Sequence, residues 1–136
     1  MSASWDPHTN YDPLTYRIIG CAIDVHKALG PGLLESGYEE SLCYALHRAG
    51  LKFTRQVPLP AEFEGVELEK AYRPDLIVNR EVVLELKTVK AFLPVHDAQL
   101  LTYLRFSKLE RGLLLNFHVR RMVNGIRRLI LTKDGD

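Results

Sequence analysis

Two runs near the middle of the chain constrain the fold more than any other feature. Residues 72–78 (YRPDLIV) and 82–87 (VVLELK) are strongly apolar on both of their alternating faces. A strand with that pattern must be covered on both sides, as central strands of helix-flanked sheets are. Glu85 and Lys87 interrupt the second run on one face, the face that also carries Val83. Leu84 and Leu86 point the other way, because strand side chains alternate with period two. Charged side chains on so apolar a strand are costly unless they have partners or a task.

The rest of the chain supplies the covering layers. Apolar residues recur at helical spacing from Thr15 through Ile18, Ile19, Ala22, Ile23 and His26 to Leu29, and Gly30-Pro31-Gly32 breaks the pattern. A second helix is expected over residues 33–49, with Leu34, Tyr38, Leu42, Ala45 and Ala49 on one face and Gly50 at its end. Residues 51–59 alternate partly as a strand, and residues 61–63 and 66–68 flank a Glu64-Gly65 hairpin turn. A third helix is expected over Pro94–Ser107, with Leu100, Leu101 and Leu104 as its core stripe. Residues 112–117 (GLLLNF) form another buried strand, and a last hairpin is expected to turn at Asn124-Gly125. Residues 1–14 carry two prolines and no periodicity, so they are expected to form a loose arm before one domain over residues 15–136.

Composition excludes several classes. At 136 residues, the chain is long enough to bury a core without staples. With 46% hydrophobic and 26% charged residues, neither general disorder nor a fibrous repeat is expected. No apolar run approaches the ~20 residues of a membrane helix. The start, MSASWDPHTN, has no basic or apolar leader, so a cytoplasmic location is expected. A net charge of +1 gives nucleic acid no support from bulk charge; binding would need a local basic patch. Cys21 and Cys43 form no CxxC and no second pair, which excludes a disulfide framework or zinc knuckle. There is no GxSxG, and Gly30-Pro31-Gly32 lacks the Lys-Ser/Thr of a phosphate loop.

Register decides what Glu85 and Lys87 can do. With a two-residue turn at Asn79-Arg80, Asp75 faces Leu84 and lies across the sheet from Glu85. With a three-residue loop, Asn79 to Glu81, Asp75 faces Glu85 directly. The apolar residues pair well in either register. A joint site needs the odd loop, and that register is the expectation. Two adjacent carboxylates repel, and burial adds to the cost. A divalent cation removes the conflict, and Mg²⁺ takes oxygen ligands through one or two carboxylates while keeping several waters. The expected ligands are Asp75, Glu85 and the backbone carbonyl of Leu86. Lys87 beside them can orient a water, help deprotonate it, or stabilise charge on a phosphate. Such a set is equipped for metal-assisted phosphodiester hydrolysis. The plainer alternative is a buried salt bridge between Lys87 and one acid.

The strand pair, Pro74-Asp75 with Glu85-Leu86-Lys87, resembles the PD-(D/E)xK nuclease motif. Upstream, Gly32, Glu35 and Tyr38 match the GxxExxY signature that names one branch of that superfamily. Downstream, Gln99 and Tyr103 resemble the QxxxY motif of RecB-like nucleases, and GLLLNF, with Asn116 and Phe117, is similar to the branch's late strand. The resemblance implies an α/β (α+β) restriction-endonuclease-like core, a central mixed sheet flanked by helices. It also implies Mg²⁺ or Mn²⁺ and a DNA-processing role. Its rival is a catalytically silent module of the same fold that binds DNA or a protein partner, and a third reading is hydrolysis of a small phosphate ester.

Each family position has two readings. Glu35 is either a partner of its helix dipole or a further metal ligand, with Glu39 one turn on as competitor. Tyr38 reads as packing. Gln99 and Tyr103 share a helix face with His96, expected to differ from the Leu100–Leu104 stripe. There Gln99 would bond the site or a phosphate, and Tyr103 would stack on or donate to DNA. Arg73 is expected to hold the Asp75 loop or a phosphate. Arg120, Arg121, Arg127 and Arg128, with Lys90, Arg105, Lys108 and Arg111, are either a solvated surface or a phosphate-tracking patch. So small a chain has little surface outside its core to grip DNA, which points to a homodimer or a larger complex.

Overall fold

The computed structural model describes residues 12–67 and 72–132. Helix α1 spans Pro13–Leu29 and α2 spans Glu35–Arg48. Strand β1 is Phe53–Arg55, β2 is Glu62–Phe63 and β3 is Val66–Glu67. Then come β4 (Leu76–Val78), β5 (Val82–Lys87), α3 (Pro94–Ser107), β6 (Arg111–Asn116), a 3₁₀ turn (Met122–Gly125) and β7 (Ile126–Ile130). The main sheet has the order β1-β4-β5-β6-β7, and β2-β3 is a separate hairpin. β5 and β6 run parallel and the other pairs antiparallel, so the sheet is mixed, and α3 makes the crossover a parallel pair requires. Among the described residues no helix is long and apolar enough to cross a membrane.

The alternation along β5 and β6 sorts the core into two layers. Leu84, Leu86, Leu113 and Leu115 pack with Ile18, Ala22, Leu42 and Leu46 of α1 and α2. Val83 and Leu114 pack on the other face with Leu100, Tyr103 and Leu104 of α3. Gly112 permits the close approach of α3: a Cβ there would lie 2.9 Å from Leu100 Cδ1. Gly125 is tighter still, since its Cβ would sit 2.1 Å from the Asn116 carbonyl oxygen. Cys21 and Cys43 are free and buried, as small hydrophobes are.

Several expectations are corrected. Residues 1–11 of the expected arm lie outside the described residues, but Asp12 to Leu14 belong to the first helix and its cap. Asp12 Oδ1 accepts from Thr15 N at 2.9 Å, and the carboxylate pairs with Arg111 at 2.5 Å. Burial works against that charge, yet the bonds from Arg111 and Thr15 hold the Asp12 carboxyl at about 2. Helix α2 starts two residues later than expected, because Leu34 is its extended N-cap; Leu34 is 80% exposed and not part of the core face. Leu29 is likewise exposed. The long 51–59 and 72–78 runs contribute only three ladder residues each. Pro74 has no N–H to give a ladder, so the chain joins the sheet only after it. The 61–68 hairpin forms, with Leu68 outside the described residues. The expected tight hairpin at Asn124-Gly125 is instead a 3₁₀ turn that packs on α1 before β7 begins.

Candidate active site

The β4–β5 register is the one that unites the acids. Leu76 pairs with Leu84, Ile77 with Val83 and Val78 with Val82. The turn closes with Glu81 N donating to Val78 O at 2.9 Å, and Asn79 and Arg80 both adopt left-handed backbone with φ 52 and 57. Glu81 is the extra residue that shifts the pairing. One step beyond the ladder, Asp75 N donates to Glu85 Oε1 at 2.8 Å, and Leu86 N donates to Asp75 Oδ2 at 2.8 Å. Each carboxylate is thus held by the backbone of the opposite strand.

Lys87 completes this face. Its Nζ lies 4.0 Å from Glu85 Oε2 and 3.5 Å from Gln99 Oε1, and Gln99 Nε2 donates to the Tyr103 hydroxyl at 3.1 Å. A relay therefore runs from α3 to the end of β5. Glu35 stands at the rim, in the first turn of α2. Partial burial, with the Asp75 and Glu39 charges, pushes its carboxyl up against the pull of the Lys87 charge and the Thr88 backbone. Tyr38 explains how α2 is aimed: its ring stacks on Phe117 with centroids 4.5 Å apart, and its hydroxyl accepts from Leu33 N at 3.2 Å and donates to Gly30 O. The loop that launches Glu35 is pinned from beneath by the core.

Burial and the Asp75 charge push the Glu85 carboxyl up to about 8, against the pull of the Asp75 N–H and Lys87. Glu85 is only 4% exposed. The donor set is all oxygen, and the local cation, Lys87, does not neutralise it. These residues fit a hard divalent cation better than a closed salt bridge. Among the described residues no group of three or more His, Cys, Asp or Glu is spaced to hold a metal ion by itself.

Among the residues singled out in the sequence, Tyr103 leaves its expected face, and His96, Leu86 and Arg73 each have defined surroundings. Tyr103 is 5% exposed and packs with Leu100, Leu104 and the edge of Tyr72. Its ring offers no face to DNA, and burial followed by the Glu85 and Asp75 charges pushes its phenol up to about 12. It acts on Gln99. His96 caps α3, its Nδ1 accepting from Leu93 N at 2.9 Å. Leu86 contributes its N–H to Asp75, and its side chain is in the core. Arg73 is exposed beside buried Pro74. The basic cluster also divides. Arg111 pairs with Asp12 and Glu81, Arg127 with Asp97, and Arg128 approaches Asp12.

Two residues were not visible as functional in the sequence. Gln56 holds left-handed backbone at φ 51; its N donates to Asp75 O at 3.0 Å, and its Nε2 donates at 3.0 Å to both Asp75 Oδ1 and Glu39 Oε1. Glu39 is buried and paired with Arg55 at 3.0 Å, so it supports Asp75 through Gln56. Asn116 clamps the segment after Lys87. It donates to Val89 O at 2.8 Å and accepts from Val89 N at 3.1 Å, while Phe117 N donates to Lys87 O at 2.9 Å. Only Asn116 carried a sequence sign, as a polar residue inside the apolar run that is similar to the branch's late strand.

The sequence profile of the PD-(D/E)XK nuclease superfamily matches residues 12–129, nearly the whole described fold. The chain belongs to the PD-(D/E)XK nuclease superfamily. The mixed five-stranded sheet flanked by three helices is the restriction-endonuclease-like architecture of that superfamily. Membership supports a nuclease-like function in general, an interaction with nucleic acid, and the divalent metal that PD-(D/E)XK nucleases generally use. No curated protein and no solved structure gives a significant match to the chain.

Proposed function

We propose that this PD-(D/E)XK domain, of the GxxExxY branch, is a nuclease that hydrolyses DNA phosphodiester bonds with Mg²⁺ or Mn²⁺. The observation that carries the reading is the face-to-face placement of Asp75 and Glu85, each fixed by the other strand's backbone, with Lys87 beside them. Asp75 and Glu85 would hold the metal, with the Leu86 carbonyl and Glu35, directly or through water, as further oxygen donors. When bound, the metal would offset charge on the scissile phosphate and acidify a water. Lys87 orients the attacking water and stabilises charge building on the phosphate oxygens. Gln99 holds Lys87 in place, and Tyr103 holds Gln99. Exposed Arg73 meets a neighbouring phosphate. The small surface outside the core favours a homodimer or a larger DNA-processing complex, which light scattering with and without DNA tests.

The test incubates purified protein with plasmid and single-stranded DNA in Mg²⁺ or Mn²⁺, beside Asp75→Ala and Lys87→Ala. Metal-dependent cleavage lost in both variants is the expected result. Cleavage that survives both substitutions comes from a contaminant and removes the reading. DNA binding without cleavage, unchanged by Lys87→Ala, replaces it with a silent binding module.

A further inference from the structure

We propose a second contact site: the cavity between α1 and the segment 117–123 seats one unstacked nucleotide of a single strand. The cavity has a volume of about 570 Å³, within the usual range for small-ligand clefts. Ile19, Ile23 and Met122 give it an apolar floor, and half-exposed Tyr16 stands in its wall. Gly20, one turn after Tyr16, opens the hollow, since a Cβ there would meet nothing within 4 Å. Lys27, Arg120 and Arg121 also line it, all exposed. None of the three forms an ion pair among the described residues, whereas Arg111, Arg127 and Arg128 have carboxylate neighbours. Unpaired cations around an apolar, partly aromatic hollow match a ligand with a flat apolar body and a phosphate on either side.

The cavity's position supports the same ligand. β5 and β6 are parallel with Lys87 opposite Asn116, so the segment after Asn116 leaves the sheet at the Lys87 end. Buried His26 fixes that segment to α1, its Nε2 lying 2.7 Å from Val119 O. Gly30 and Pro31 line the cavity and lead directly to Glu35. A strand passing Lys87 and Glu35 would cross this loop to reach the hollow. A base inside a duplex is stacked and paired, so the hollow selects single strands, frayed ends or flaps. The ligand class rests on the nuclease reading.

The test is fluorescence anisotropy of a fluorescein-labelled oligothymidylate in EDTA, with wild type, Arg120→Ala/Arg121→Ala and Gly20→Leu. None of these residues belongs to the proposed catalytic set. Thermal unfolding checks that each variant folds. The double variant is expected to bind about tenfold more weakly, with its log–log salt slope reduced by roughly 1.4. Gly20→Leu is expected to weaken single-strand binding, leave that slope unchanged and spare duplex binding. Folded variants that bind like wild type overturn the site. Loss in the arginine variant alone also overturns it, leaving only a basic surface. If both effects appear but wild type with metal cleaves nothing, the nucleotide site stands and the nuclease reading fails.

Discussion

At Glu85, burial and the neighbouring Asp75 carboxylate favour the protonated acid, which moves its titration from 4.5 to about 8. The folded state then retains a proton that the unfolded chain releases above 4.5. Stability is therefore expected to fall as pH rises between about 4.5 and 8, by at most about 1.4 kcal/mol per unit from this group. The Asp12 shift is in the opposite direction and acts below pH 4, outside that window. Urea unfolding of metal-free protein at pH 5 and pH 8 checks the slope, which Glu85→Gln is expected to flatten. Gln56 acts at the same scale. It gives one N–H to Asp75 and one to Glu39, so Gln56→Ala is expected to lower Mn²⁺ affinity about tenfold with a small change in Tm. Calorimetric titration checks this. Nothing in the sequence marks Gln56, because its role depends on one left-handed backbone position.

At the scale of elements, the end of β6 determines where Lys87 sits. Asn116 pairs with both backbone groups of Val89, and Gly125 abuts the Asn116 carbonyl. Asn116→Ala leaves part-buried backbone groups of Val89 unpaired and is expected to cost about 1 kcal/mol. Faster hydrogen exchange at the Val89 amide is the accompanying sign. Gly125→Ala pushes a methyl into backbone that cannot move aside, and is expected to lower Tm. Both α3 and β5 were legible to the residue, because proline, apolar period and charge all agree at their ends. The strands around Pro58, Pro60 and Pro74 were overextended, since apolar alternation continues where proline has removed the ladder donor. Tyr103 was placed on the wrong face, though residues three and four apart share a stripe and Leu100 already marked it.

At the scale of the whole molecule, the two-layer core leaves the ends of β4, β5, α2 and α3 to meet at one place, and the acidic and basic side chains collect there. Membership of the PD-(D/E)XK superfamily explains why motifs more than 60 residues apart, from Glu35 to Gln99 and Tyr103, converge. The register behind that convergence could not be read from hydrophobicity, because both pairings bury the same residues. It depends on the extra turn residue Glu81, whose partner Arg111 comes 30 residues later in the chain, at the start of the neighbouring strand β6.

The most direct test is calorimetric titration of Mn²⁺ into the purified protein and into Asp75→Ala, at pH 8 without nucleic acid. Saturable binding that weakens at least about tenfold in the variant is the result expected if the facing acids hold a cation. Equal affinity in the two proteins, or no binding to either, would contradict a metal centre at Asp75 and Glu85.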